Sequence, residues 1–150
     1  MNRVAISVKG CSRPAWLPDC RRFVRRVLKK LKLYNWELSI LFCDDDTSQE
    51  LNATYRHKNY PTDVLAFPQL EITPPGDQVV FLAGDIVISL DRLKLNAKTY
   101  QVSEGDELKR LLVHGILHLA GYDHLSSKLT EPMLREQEKI LCELKGERIF

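Results

Sequence analysis

Residues 103–124 constrain this chain more than any other stretch. Leu108, Leu111, Leu112, Ile116 and Leu119 recur at the spacing of one helix face, which predicts an amphipathic helix buried along that face. Ser103 with Asp106 can cap its start. Gly121 is placed to end it in the left-handed conformation. His114 and His118 stand at i and i+4 on this helix, so their rings share a face. His124, three residues past the glycine, can swing back toward the pair.

The flanking sequence predicts strands over residues 3–8, 36–43, 64–67, 79–82 and 85–89, with a hairpin-like pair around Gly84. Helices are expected over residues 18–33, from a Thr47/Glu50 capping box to about His57, and over 91–100. A last helix is expected from a Thr130 cap, with Pro132 in its first turn, to Gly146. Pro61 breaks the chain after the second helix, and Pro68, Pro74, Pro75 and Gly76 mark the longest loop. This order predicts an α/β (α+β) fold, a single mixed β-sheet packed with helices.

At 150 residues the chain fits one domain, 1–150, large enough for a core without disulfide or metal staples. With 44% hydrophobic and 28% charged residues it is neither disordered, collagen-like nor a coiled coil as a whole. Its longest apolar run, residues 79–83, is far below the roughly 18 residues that span a bilayer. No apolar signal-peptide segment is seen at the start, and Cys11, Cys20, Cys43 and Cys142 show no C-x-x-C spacing. The expectation is a cytoplasmic protein with reduced thiols and no membrane partner.

The net charge of +2 hides an asymmetry, because residues 1–42 carry ten Lys and Arg against only Asp19 and Glu37. Arg21, Arg22, Arg25, Arg26, Lys29 and Lys30 wrap a helix whose other face is Phe23, Val24, Val27, Leu28 and Leu31. Such a face attracts polyanions, of which nucleic acid is the commonest large one. On charge alone a solvated amphipathic face fits as well. A membrane-surface helix fits less, since bulky apolar anchors are few.

Three converging imidazoles suit one zinc ion per chain, with a coordination position left for water. Imidazole is neutral at pH 7 at little proton cost, and zinc lowers the pKa of bound water to about 7. Nickel or another divalent ion can also occupy a three-His site. The spacing H-x-x-x-H-x-x-G-x-x-H matches the metzincin pattern. However, Gly115 stands where the metzincin general base, a glutamate, follows the first histidine. Glycine cannot take a proton from water, so the peptidase mechanism loses its base while the zinc ligands stay. Glycine also costs a helix about 1 kcal/mol relative to alanine, which predicts a close approach of the sheet. His57 has no partner at ligand spacing and reads as solvated.

Residues 114–124, H-G-I-L-H-L-A-G-Y-D-H, resemble the H-G-x-L-H-L-x-G-Y-D-H signature of the YbeY family of bacterial and organellar endoribonucleases. Residues 55–68, Y-R-H-K-N-Y-P-T-D-V-L-A-F-P, are similar to that family's Y-R-x-K-x-x-P-T-D-V-L-S-F-P, and Gly84-Asp85-Ile86 to its G-D-I. Asn59, Tyr60 and Ala66 depart from the pattern, in the loop that would meet substrate. The resemblance implies a metzincin-like fold and a zinc-dependent, single-strand-specific endoribonuclease. It implies work in ribosomal RNA processing (small-subunit rRNA 3′-end maturation) and ribosome quality control, beside the small subunit and its assembly factors. Arg56 aligns with the family arginine held to matter for activity, and with His114 forms the expected catalytic pair. A guanidinium there can stabilise charge growing on the phosphate. Asp85 and Asp123 are candidates to orient ligand imidazoles. Thr62 and Asp63 fit a turn-capping role at least as well as catalysis.

Two other function classes share these residues. One is a metallohydrolase of another substrate class. The other is a non-enzymatic RNA-binding assembly factor with structural zinc, which an open coordination position disfavours.

Overall fold

The computed structural model describes residues 1–73, 79–122 and 132–150. Its centre is a mixed four-stranded sheet. β1 (Arg3–Lys9), β2 (Trp36–Cys43) and β4 (Phe81–Ser89) run parallel, and β3 (Val64–Ile72) closes the far edge antiparallel to β4, in the order β1-β2-β4-β3. The helices are α1 (Leu17–Lys30), α2 (Asp45–Arg56), α3 (Leu90–Tyr100), α4 (Glu104–Leu119) and α5 (Pro132–Glu143). No helix among the described residues is long and apolar enough to cross a membrane.

Alternation along β2 sorts the two faces of the sheet. Trp36, Leu38, Ile40 and Phe42 enter the main core, where Phe23, Val24, Val27 and Leu28 of α1 meet Leu108, Leu111, Leu112 and Ile116 of α4. The opposite face keeps a smaller cluster, Cys43, Leu65 and Val87, with Leu51 of α2 against it. Cys20 and Cys43 are buried, which pushes both thiols up to about 12. All four cysteines are free thiols.

Helix α4 has the ends its sequence signals. Ser103 accepts the Asp106 N–H at 3.0 Å. At the other end Tyr122 N–H reaches Leu117 O at 2.9 Å and Gly121 N–H reaches His118 O at 3.0 Å, with Gly121 at φ +94°. This is the paired closure of a Schellman motif. Gly115 sits directly on β4: a Cβ there would lie 3.0 Å from Ile86 Cγ2. The expected close approach of the sheet is therefore the packing of Ile86 into the gap left by glycine.

Three local expectations change. Asp44, not Thr47, caps α2, because its carboxylate accepts the Thr47 N–H at 2.9 Å. That bond, with the Thr47 hydroxyl, holds the Asp44 carboxyl below its usual range. Residues 81–89 form one strand, with no hairpin at Gly84; the antiparallel partner of β4 is β3. Gly84 is needed at φ +134° because the β3–β4 register slips between Pro68 and Glu71, and a Cβ would fall 2.1 Å from Phe67 O. Finally, β3 runs on to Ile72 and α5 stops at Glu143, while the expected Thr130 cap lies outside the described residues.

Gly84→Ala should destabilise the fold by at least about 2 kcal/mol, since both the backbone angle and the facing carbonyl oppose a Cβ. Urea unfolding should show a lower midpoint at unchanged slope.

Candidate functional site

A cleft of about 480 Å³ opens where α4 crosses the β3 edge of the sheet. His114 and His118 line it from α4, Arg56 from the end of α2, and Thr62, Val64, Ala66 and Pro68 from β3 and the turn before it. Helical spacing brings the two imidazoles together, with His114 Nε2 3.2 Å from His118 Nε2. Zinc–nitrogen bonds of 2.0–2.1 Å put tetrahedral ligands about 3.3 Å apart, so this spacing fits two donors on one cation. His114 Nδ1 lies 2.8 Å from Oε1 of Gln137, which α5 supplies. Among the described residues no set of three His, Cys, Asp or Glu side chains gathers round one point. His124 and Asp123 lie outside the described residues.

Arg56 reaches the same cleft. Its Nη2 donates to Ala66 O at 2.9 Å, and its guanidinium lies 5.8 Å from the Phe67 ring centroid. The Ala66 carbonyl belongs to the outer edge of β3. Asp63 turns its own carbonyl to Ser89 N–H at 3.0 Å, so alternation sends the Ala66 carbonyl away from β4. Two residues on, Pro68 has no N–H to offer. The outer edge of β3 is thus engaged at Ala66 O and interrupted at Pro68.

The turn before β3 is clamped from three helices. Ser48 of α2 donates to Thr62 O at 2.6 Å and accepts Thr62 N–H at 3.1 Å. Asn96 of α3 donates to Asp63 Oδ2 at 2.9 Å and to Glu107 Oε2 at 3.0 Å. Arg110 of α4 binds Glu107 through Nε and Nη2, both at 2.7 Å, with Asp63 Oδ2 at 3.7 Å. Glu107 is only 1% exposed, and this fork satisfies a carboxylate that burial would otherwise leave unpaired. The Glu107 bond holds the Arg110 pKa above its ordinary value. Glu107, Arg110, His114 and His118 fall at i, i+3, i+7 and i+11, one stripe of α4. The clamp and the imidazoles thus share a single rigid element. The Asp63 carboxylate also accepts the Val64 N–H at 2.8 Å, so it fastens the turn to both helices.

The family described as Endoribonuclease YbeY matches residues 9–145. The chain belongs to the YbeY endoribonuclease family. The Treponema denticola Endoribonuclease YbeY is 49% identical over 129 residues, covering 85% of this chain and 83% of the relative. The Borreliella burgdorferi Endoribonuclease YbeY is 42% identical over 134 residues, covering 85% of each chain. The solution structure of a Thermotoga maritima protein superposes with a TM-score of 0.65 at 28% identity, covering 95% of this chain and 90% of that one.

Against the expectations for a YbeY chain, one candidate moves. Asp85 bonds the Ser39 hydroxyl on the sheet face away from α4, because its neighbour Ile86 takes the inward position under Gly115. Among the described residues it does not meet His114 or His118. Gln137 does, and the sequence reading missed it. The available signal was a polar residue one turn from Met133 and three residues before Ile140, on the buried face of α5. The basic helix is also less uniform than its sequence. Arg21 Nε donates to Val4 O at 3.0 Å, and Arg22 pairs with Asp19 at 2.6 Å. Arg26 and Lys30 pair with Glu147 and Glu143 at 3.2 and 3.6 Å. Among the described residues, Arg25 and Lys29 have no ion pair. His57 is exposed at the left-handed end of α2, φ 58°, outside the cleft lining.

Arg110→Met should cost on the order of 2–4 kcal/mol, less than the roughly 3–5 kcal/mol for breaking a fully buried pair, because the guanidinium keeps a third of its surface exposed. Adding Glu107→Leu should recover part of that loss. A double-mutant cycle by urea unfolding measures the coupling.

Proposed function

We propose that this YbeY-family chain is a zinc-dependent, single-strand-specific endoribonuclease of ribosomal RNA processing. The reading extends to small-subunit rRNA 3′-end maturation and ribosome quality control, in the cytoplasm, with the ribosomal small subunit and its assembly factors as partners. The observation that carries the catalytic part is one cleft holding two imidazoles at ligand spacing and an arginine beside them. His114, His118 and His124 would hold the cation, with Asp123 a candidate to orient one ring. A divalent ion there supplies a Lewis acid and an activated water for the phosphodiester.

The chain's own residues supply the rest. Arg56 keeps donors beyond the one given to Ala66 O, since a guanidinium carries five. They can bind the non-bridging phosphate oxygens and favour the transition state as charge grows there. Lys58 on the same lining adds a second positive charge for the backbone. The sugar–phosphate chain needs no strand edge, which suits a β3 edge already engaged by Arg56. Gly115 cannot act as a base, so proton transfer is not assigned to the position a metzincin uses.

Arg56→Ala should lower single-turnover cleavage of a short single-stranded RNA by roughly 10²-fold or more, the scale of losing one oxyanion donor. Metal content should be unchanged, because arginine is not a ligand. Arg56→Lys should recover only part, since a point charge lacks the fork. Chelation should abolish cleavage and added zinc should restore it. Cleavage that survives chelation would overturn the metal-dependent reading, and salt-dependent RNA binding without cleavage would favour an assembly factor.

Arg25 and Lys29 are the better test of the basic helix, because Arg22 and Arg26 already have acidic partners. Reversing both charges should weaken RNA binding and flatten its salt dependence while leaving saturated turnover near wild type. An unchanged slope in a filter-binding salt series would return α1 to an ordinary solvated face.

A further inference from the structure

Gln137 is out of keeping with its place in α5. Its neighbours on the buried face are Met133, Leu134 and Ile140, and it is itself only 4% exposed. An amide in that position must satisfy its polar atoms inside the protein, or burial is unfavourable. No buried side-chain N or O among the described residues is left without a hydrogen-bond partner. For Gln137 that partner is His114: Oε1 lies 2.8 Å from Nδ1.

The chemistry of this contact has a direction. An amide oxygen can only accept, so His114 Nδ1 must donate and carry the proton. A neutral imidazole protonated at Nδ1 has its lone pair at Nε2. That is the nitrogen facing His118 Nε2 at 3.2 Å in the cleft. The amide oxygen therefore favours that tautomer over one with its N–H turned into the cleft.

We propose that Gln137 is a positioning residue that locks His114 as the Nδ1–H tautomer and so presents its Nε2 lone pair to a divalent cation. The proposal rests on the metal-site reading above and names a residue on a separate helix that tunes it. A neutral amide polarises the imidazole less than a carboxylate would, so Gln137 makes His114 a weaker base than an Asp or Glu partner. The hydrogen bond ties α5 to α4, which couples the seating of α5 to the quality of the metal ligand.

The test uses the full chain, labelled with nitrogen-15 and stripped of metal, at a pH where imidazoles are neutral. Long-range proton–nitrogen correlation spectra report the tautomer of each histidine. Wild-type His114 should be Nδ1–H, and Gln137→Leu should show a mixed or Nε2–H form. Zinc affinity, measured by competition with a chromophoric chelator, should fall about 10- to 100-fold in Gln137→Leu. Gln137→Glu, which keeps an acceptor, should retain or exceed wild-type affinity. An Nε2–H tautomer in the wild-type protein overturns the proposal without any variant. So does a folded Gln137→Leu protein with wild-type tautomer and affinity. If the wild type binds no divalent ion yet holds His114 as Nδ1–H, the metal reading falls and the tautomer assignment stands.

Discussion

Helix α4 can carry two imidazoles to the cleft only because it lies almost directly on the sheet. The contact that permits this is Gly115 against Ile86, where even a Cβ would press the isoleucine at 3.0 Å. The helix gives up about 1 kcal/mol of propensity at that point and gains proximity to β4 and β3. Leu111, Leu112 and Ile116 then fill the core on either side of the contact. The position a metzincin uses for its proton acceptor is here spent on packing. The cleft consequently pairs two histidines one helical turn apart with a glycine between them.

A second constraint acts at right angles to the first. Asp63, Asn96, Glu107 and Arg110 tie the start of β3 to α3 and α4. Two carboxylates share one guanidinium and one amide in a partly buried setting. The arrangement is satisfied only while all the participating elements are in place, so the cleft wall and the imidazole-bearing helix are held in a common frame. The clamp and the cleft therefore meet in α4: one stripe holds the fold at its N-terminal half and presents two imidazoles at its C-terminal half.

How much of this could be read from sequence follows from how local each feature is. The α4 face, its Ser103 cap and its Gly121 ending are set by residues a few positions apart, and pattern reasoning finds them. So is the His114/His118 pair. β2 was legible to its last residue because its apolar run is bounded by polar clusters. Gly84 misled because glycine within apolar residues reads as a turn, whereas here it accommodates a register slip in the neighbouring strand. Thr47 misled because Asp44, three residues earlier, makes the better N-cap. The Asp63 clamp and the Gln137 bond join residues far apart in the chain, and a lone glutamine in an amphipathic helix has the look of a surface residue. Asp85 was assigned by its place in a motif, but the strand's alternation sends it to the other face.

The sheet is also finished at both margins. An arginine from a helix donates to a carbonyl in each outer strand, Arg21 to Val4 of β1 and Arg56 to Ala66 of β3. An unguarded outer strand is where a second copy adds on and a sheet begins to grow from molecule to molecule. Here a guanidinium occupies one carbonyl in each outer strand. Arg56 thus has two placements at once: it lines the cleft and it covers a carbonyl at the margin of the sheet.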